Sequence, residues 1–301
     1  MQKVSPANHL AFLDGIRGGA ALWVLLAHCM IWGGWYWRPL PSAKIAVDVF
    51  MVVSGFLMVF QYRVREAVEP IDQWRTTCRF WLRRFFRIAP LYYAFLLFLV
   101  LFWGAYTEGW QSLRTLDPSR WAKPSIYDPA HHRMDVWNVL MHVTFLFGAV
   151  PAYAFSNLSP DWSIGLEMQF YAVFPVLYLC FRRVSWIATV AAGVGLAVAV
   201  NAWFARLPGV LPHTKGLFPE PSFLFMKLPL FLIGMLCAEV FCRKPEDNRA
   251  RLPMAVAALA VSVTYSKIIV VMTAFVLTVA WLRYSPPLDG FAVECNVLSP
   301  G

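Results

Sequence analysis

The sequence predicts an all-α fold, a polytopic transmembrane helical bundle of about eight membrane-spanning helices plus one external or re-entrant helix. Three observations lead there. Hydrophobic residues make up 59% of the chain and charged residues only 14%, and the mean hydropathy is +0.55, outside the range of soluble domains. The apolar residues gather into runs of the length a bilayer core demands. The basic residues gather in short clusters between those runs, the pattern that orients a membrane protein.

Taken in order, apolar runs place helices over 10–32, 46–62, 91–106, 163–181, 186–204, 222–242, 253–265 and 268–283. The last two are short, are separated by Ser266-Lys267, and read as one tight helical hairpin. Arg63, Arg65, Arg75, Arg79, Arg83, Arg84 and Arg87 lie between the second and third runs, so that segment and the N-terminus are expected on the cytoplasmic side. The stretch 107–135 is expected as an outer loop, its bases balanced by Glu108, Asp117, Asp128 and Asp135. Arg182-Arg183 and Arg243-Lys244 return to the inner side only if the run 136–155, broken by His142, Gly148 and Pro151, does not fully cross. That run is therefore expected to be external or re-entrant. Residues 1–284 read as one membrane domain, and 285–301 as an irregular tail, either natural or the scar of a truncation.

Composition also excludes some classes. A net charge of +9 is compatible with nucleic-acid binding in general, but here the bases flank apolar runs and no nucleic-acid partner is expected. The six cysteines form no CxxC pair and no zinc spacing, so neither a metal site nor a disulfide framework is expected. No cleavable signal peptide is expected either, because the first run opens with Asp14 and Arg17 and ends in bulky residues.

Four segments carry polar chemistry inside apolar surroundings. Arg17 and His28 bracket the first run, with Asp14 one turn before. Eleven positions are about three helical turns, so both side chains share a face about 16 Å long. Ionisable groups in a bilayer mark function by default, imidazole exchanges protons near neutral pH, and a guanidinium forks onto phosphate or carboxylate. Asp48 opens the second helix, where Ser54-Gly55 is a small step that lets helices approach. Arg83 and Arg87 are four apart, on one face, with Arg84 beside them and aromatics around them. Ser159-Pro160-Asp161-Trp162-Ser163 leads into a helix carrying Glu167 and Tyr171, with Ser163 near its start and Glu167 one turn in. His131-His132 reads instead as a solvated pair in an outer loop.

Together these segments resemble the acyltransferase-3 family of integral membrane O-acyltransferases. Phe12-Leu-Asp14-Gly15-Ile-Arg17 with His28 is similar to its opening Arg-x10-His signature. Asp48 to Phe56 resembles its second-helix motif ending in Ser-Gly-Phe, and Arg83-Arg84-Phe-Phe-Arg87-Ile-Ala-Pro90-Leu-Tyr92-Tyr93 its Arg-rich motif. Trp162-Ser163 through Glu167, Gln169-Phe170-Tyr171 resembles its Trp-Ser-x-x-x-Glu-x-Gln-Phe-Tyr element, and Phe231-Leu-Ile-Gly234-Met235 a later Phe-x-x-Gly-Met helix. The sequence departs at Met168, where a second Glu is common, and at Gly165, where Ser is frequent. Two further helices usual in the family after the region near Tyr284 find no match here.

The resemblance implies a bacterial inner-membrane enzyme with a cytoplasmic N-terminus. It would move an acyl group, acetyl above all, from acetyl-CoA or another acyl-CoA to a hydroxyl of an envelope or exported carbohydrate. It holds no permanent cofactor, and its partners are membrane lipid and polysaccharide biosynthesis or export machinery. On that reading His28 is the base or a transient acyl carrier, oriented by Asp48 or Glu167. Arg17, with Arg83, Arg84 and Arg87, holds the donor's phosphates, and Asp14, Ser54, Trp162, Ser163 and Tyr171 complete the site. The rival readings are a transporter or flippase for an anionic or lipid-linked substrate, and an inactive truncated relative.

Overall fold

The structure, a computed structural model, describes residues 10–33, 42–121, 132, 134–157, 161–208, 217–218 and 221–282. The expected irregular tail at 285–301, together with Ser159, Pro160 and His131, lies outside the described residues. Every regular element among the described residues is helical: α1 (Ala11–Gly33), α2 (Ala43–Arg65), α3 (Trp74–Leu101), α4 (Trp103–Leu116), α5 (Pro118–Trp121), α6 (Val136–Val143), α7 (Trp162–Leu179), α8 (Trp186–Phe204), α9 (Leu224–Cys242), α10 (Asn248–Val263) and α11 (Lys267–Leu282). Six of them, α1, α2, α3, α7, α8 and α9, are long and apolar enough to cross a membrane. The expected eight depend on α10 and α11, each of 16 residues, and a helix of that length spans only about 24 Å of a roughly 30 Å core.

The chain divides into two compact units. One comprises Met1–Pro70 with Pro229–Gly301, the other Ile71–Leu228. In the first unit, Ser42 caps α2 by accepting from the Lys44 amide at 3.3 Å, and Arg63 and Arg65 in its last turn suit the negative end of the helix dipole. α2 packs on α1 and α11. It also meets α9 backbone to backbone. A Cβ on Gly55 would collide with the Phe231 carbonyl oxygen, and one on Gly234 with the Val52 carbonyl oxygen. Helices in lipid gain no hydrophobic drive from one another, so close approach over small residues is what holds such a crossing. The rings of Phe12, Phe56 and Phe60 close around Phe241 beside it.

In the second unit the third helix corrects the expectation. It starts at Trp74 rather than near 91, and Arg75, Arg79, Arg83, Arg84 and Arg87 lie within it instead of in a connecting loop. Its first half mixes bases with Trp and Phe, so no continuous apolar run announces it, and the helix continues unbroken into the apolar second half. The stretch 107–135, expected as loop, holds most of α4 and all of α5. Trp110 is buried there against Trp121. The broken run 136–155 is the short α6, capped by the Asp135 carboxylate on the Asn138 amide at 2.8 Å, followed by a single tight turn at 147–149. Eight helical residues reach about 12 Å, far too short to cross, which agrees with an external or re-entrant element. His132, expected in solvent, is buried.

Candidate functional site

On α1 the Arg-to-His spacing does what its period requires. Asp14 is exposed, while Arg17 and His28 are half-buried. His28 Nδ1 lies 2.8 Å from the Val24 carbonyl oxygen. A carbonyl only accepts, so Nδ1 carries a proton, and Nε2 is the nitrogen left to exchange one. A main-chain carbonyl thus orients the imidazole, the role the sequence reading gave to Asp48 or Glu167. Asp48 is buried near the start of α2 and acts electrostatically on Tyr265 in the α10–α11 turn, whose phenol is pushed well above its ordinary range by burial first and by that carboxylate second. Ser54 is half-buried next to the Gly55 crossing.

In the second unit α3 and α7 bring their motif residues together. The Arg84 guanidinium lies 5.6 Å from the ring centres of both Phe80 and Tyr171, the distance of a cation–π contact. The Tyr171 hydroxyl donates to the Glu167 carboxylate one turn back, and the Trp81 indole N–H donates to the Tyr171 carbonyl at 3.1 Å. Arg83 and Arg87 are exposed on the same stretch of α3. Trp162, buried, and Ser163, half-buried, form the first turn of α7, and Asp161 rather than Ser163 stands at its cap. Glu167 accepts from Tyr171 one turn on.

The sequence reading missed three groups. Asp161 is buried and receives the Tyr92 hydroxyl at 2.7 Å and the Asn157 amide at 2.8 Å, with His142 Nε2 at 3.6 Å. His142 Nδ1 donates to the Asn138 carbonyl at 2.8 Å, and its ring stacks on Phe147 at 4.3 Å. Burial raises the Asp161 carboxyl pKa, against the lowering pull of His142, Tyr92 and Asn157. The signal was a histidine interrupting an apolar run. Second, Gln169 clasps the stretch 222–224: its amide N–H donates to the Ser222 carbonyl at 3.0 Å and its amide oxygen accepts from the Leu224 N–H at 2.9 Å, while the Ser222 hydroxyl donates to the Gly148 carbonyl at 2.9 Å. Third, Glu239 is fully buried in α9, forked by Arg63 at 3.1 and 2.7 Å and approached by Arg243 at 3.5 Å. A lone carboxylate in an apolar run was the available signal, the same that picked out Glu167. Among the described residues no group of three or more His, Cys, Asp or Glu could hold a metal ion.

The profile of a known family, described as an acyltransferase domain, matches residues 10–293. The chain belongs to the acyltransferase-3 family. It is similar to the putative membrane-bound transacylase BcsY of Komagataeibacter xylinus, 32% identical over 176 residues, which cover 58% of this chain and 38% of the relative. It is also similar to the peptidoglycan O-acetyltransferase OatA of Listeria monocytogenes, 25% identical over 217 residues, 68% of this chain and 30% of the relative. The O-acetyltransferase OatA of Staphylococcus aureus is 24% identical over 181 residues, 59% of this chain and 26% of that protein. The chain thus spans well under half the length of these curated relatives. No solved structure matches it.

Two departures from the acyltransferase-3 pattern have local causes. A Cβ on Gly165 would come within 3.1 and 3.2 Å of the Phe147 ring, so a small residue there admits the phenyl group on which His142 stacks. Met168, in place of a common Glu, packs against the aromatic cluster of Tyr92, Phe145 and Phe147, where a carboxylate would be desolvated without a partner.

Proposed function

We propose that this membrane protein is an O-acyltransferase that moves an acyl group, acetyl in the first instance, from acyl-CoA to a hydroxyl of an envelope or exported carbohydrate, in a bacterial inner membrane with the N-terminus inside. Family membership supports the reaction class over a transporter. The names of the relatives, a transacylase and O-acetyltransferases, one of them of peptidoglycan, support the group and the acceptor class.

The observation that carries the reading is the His28 geometry. With Nδ1–H committed to the Val24 carbonyl, Nε2 is the nitrogen left to take a proton, and an imidazole so oriented can serve as a general base. His28 takes the acceptor's hydroxyl proton as its oxygen attacks the thioester carbonyl, and the CoA thiolate departs. Arg17 and Asp14 lie three turns or more along the same helix from that base, and Asp48 is in the same unit. Arg83, Arg84 and Arg87 hold the donor's phosphates, with the Tyr171 ring, its hydroxyl bound to Glu167, against the Arg84 side chain. Acyl-CoA enters as a substrate, not as a resident cofactor.

The test is acetyl-CoA turnover in membrane vesicles carrying the full chain, followed by mass spectrometry of acetyl on isolated envelope polysaccharide from a strain lacking its own acyltransferase. Turnover lost in His28→Ala and acetylation restored only by the unmodified chain are expected. Full activity of His28→Ala would overturn the assignment, and transport of an anion without acyl transfer would overturn the class.

A further inference from the structure

The Asp161 group has no role in the chemistry above, yet it is almost completely buried. Asp161 is 3% exposed, Asn157 2%, and His142 and Asn138 0%. No substrate reaches such a site, so whatever it does, it does through other residues. Its members come from three places: Tyr92 from α3, His142 and Asn138 from α6, and Asp161 with Asn157 from the lead-in to α7.

Two details show that the arrangement is specified. An aspartate at a helix cap ordinarily turns its carboxylate onto the free amides of its own helix. Asp161 makes no such bond and gives its oxygen to Tyr92 and Asn157 instead. Phe145, just after α6, sits at φ 58°, a left-handed conformation costly for an aromatic residue. It thereby brings its ring to 5.0 Å from Tyr92 and 5.7 Å from Tyr93, and the Tyr93 hydroxyl donates to the Val143 carbonyl at 2.6 Å. Strain is tolerated where surrounding contacts demand it.

The consequence lies farther along both helices. Tyr92 is two turns beyond Arg84 on α3, and Asp161 immediately precedes the helix that carries Glu167 and Tyr171. A bond at Asp161 and a second at Trp81 with the Tyr171 carbonyl fix both the rotation of α7 and its register along α3. We propose that Asp161 is a positioning residue: held by the Tyr92 hydroxyl and the Asn157 amide, with the His142 imidazole beside them, it seats α7 on α3 so that Tyr171, bound to Glu167, meets Arg84. This inference rests on the donor-site reading of those three residues.

Two readouts on the full chain in membranes test it, and they separate the positioning role from the reaction. The first is amide hydrogen exchange over 162–171, with α8 as internal control. The second is the split between KM for acetyl-CoA and kcat. In Tyr92→Phe, which keeps the ring and loses one charge-assisted hydrogen bond, exchange over 162–171 is expected to rise about tenfold. KM is expected to rise about fivefold or more with kcat within about twofold, because a misplaced binding group weakens binding first. Asp161→Ala repeats the pattern more strongly. Asp161→Asn, whose amide oxygen can take the place of Oδ2 and still accept from Tyr92 and Asn157, is expected to restore values near those of the unmodified chain. Unchanged exchange and unchanged KM in Tyr92→Phe would overturn the proposal. So would a loss of active protein at constant KM, since a merely structural residue lowers the folded amount and leaves the remaining sites intact. If the unmodified chain turns over no acetyl-CoA, the donor-site reading fails, and the exchange readout alone decides whether Asp161 seats α7.

Discussion

The α2–α9 crossing and the Asp161 group solve the same problem with opposite chemistry. At the crossing, two glycines let main chains touch, with no side-chain hydrogen bond between Gly55 and Gly234 and a ring cluster around them. At Asp161, bulky aromatics and polar side chains meet, and one carboxylate oxygen gathers two donors and an imidazole. The first is shape alone and tolerates no added atom. The second is a network and tolerates isosteric change but not loss of a partner. A membrane interior supplies no hydrophobic drive between helices, so each contact relies on steric fit or on hydrogen bonds that have no water to replace them.

The comparison breaks most sharply at the crossing. Gly234→Leu forces a side chain into the Val52 carbonyl, and the backbones must separate. A cost of about 3 kcal/mol or more is expected, seen as loss of the monodisperse detergent-solubilised protein. If Gly234→Leu folds and melts like the unmodified chain, the crossing is not the close contact described. Asp161→Ala should cost less, about 2 kcal/mol, because it leaves the buried Tyr92 hydroxyl and Asn157 amide without their acceptor; a lowered thermal midpoint checks it. Gly165→Ser should cost about 1 kcal/mol by crowding Phe147. The double change with Phe147→Leu should recover part of that loss, and strict additivity of the two would show that the residues are not coupled.

The smallest effect is with pH. Burial raises the Asp161 carboxyl above its ordinary value of 3.8, and Tyr92 from α3, His142 from α6 and Asn157 face it. A raised acid binds its proton more tightly folded than unfolded. Its contribution is therefore greatest below the ordinary carboxyl range, falls as pH climbs toward the folded-state value, and is level above it. Asp161→Asn removes this slope. The difference in midpoint between the unmodified chain and Asp161→Asn should become less favourable to the unmodified chain as pH rises from the acid side, and a difference independent of pH would contradict the raised carboxyl.

Much of this was legible in the chain. Length and apolarity marked α1, α2, α7, α8 and α9, because a bilayer core imposes both. Helical period put Arg17 and His28 on one face, and Arg83 and Arg87 on another. The interruptions at Gly148 and Pro151 set 136–155 apart from the long apolar helices, and the α-helix found there has eight residues. The first half of α3 was not legible as helix, because its bases and aromatics make it amphipathic where the reading sought apolar runs. α4 was missed for the same reason.

Sequence alone thus determined the membrane class, the helical fold, the family resemblance and the spacing of the motif residues, all of which depend on local composition and period. The structure showed, one turn apart within single helices, that a main-chain carbonyl orients His28 and that Tyr171 donates to Glu167. Tertiary structure alone decided that Gly165 makes room for Phe147, and that Tyr92, His142 and Asp161 meet. These depend on which distant stretches touch. No local pattern encodes that, because a buried hydrogen bond is set by two elements' rotation about their own axes and not by either sequence alone.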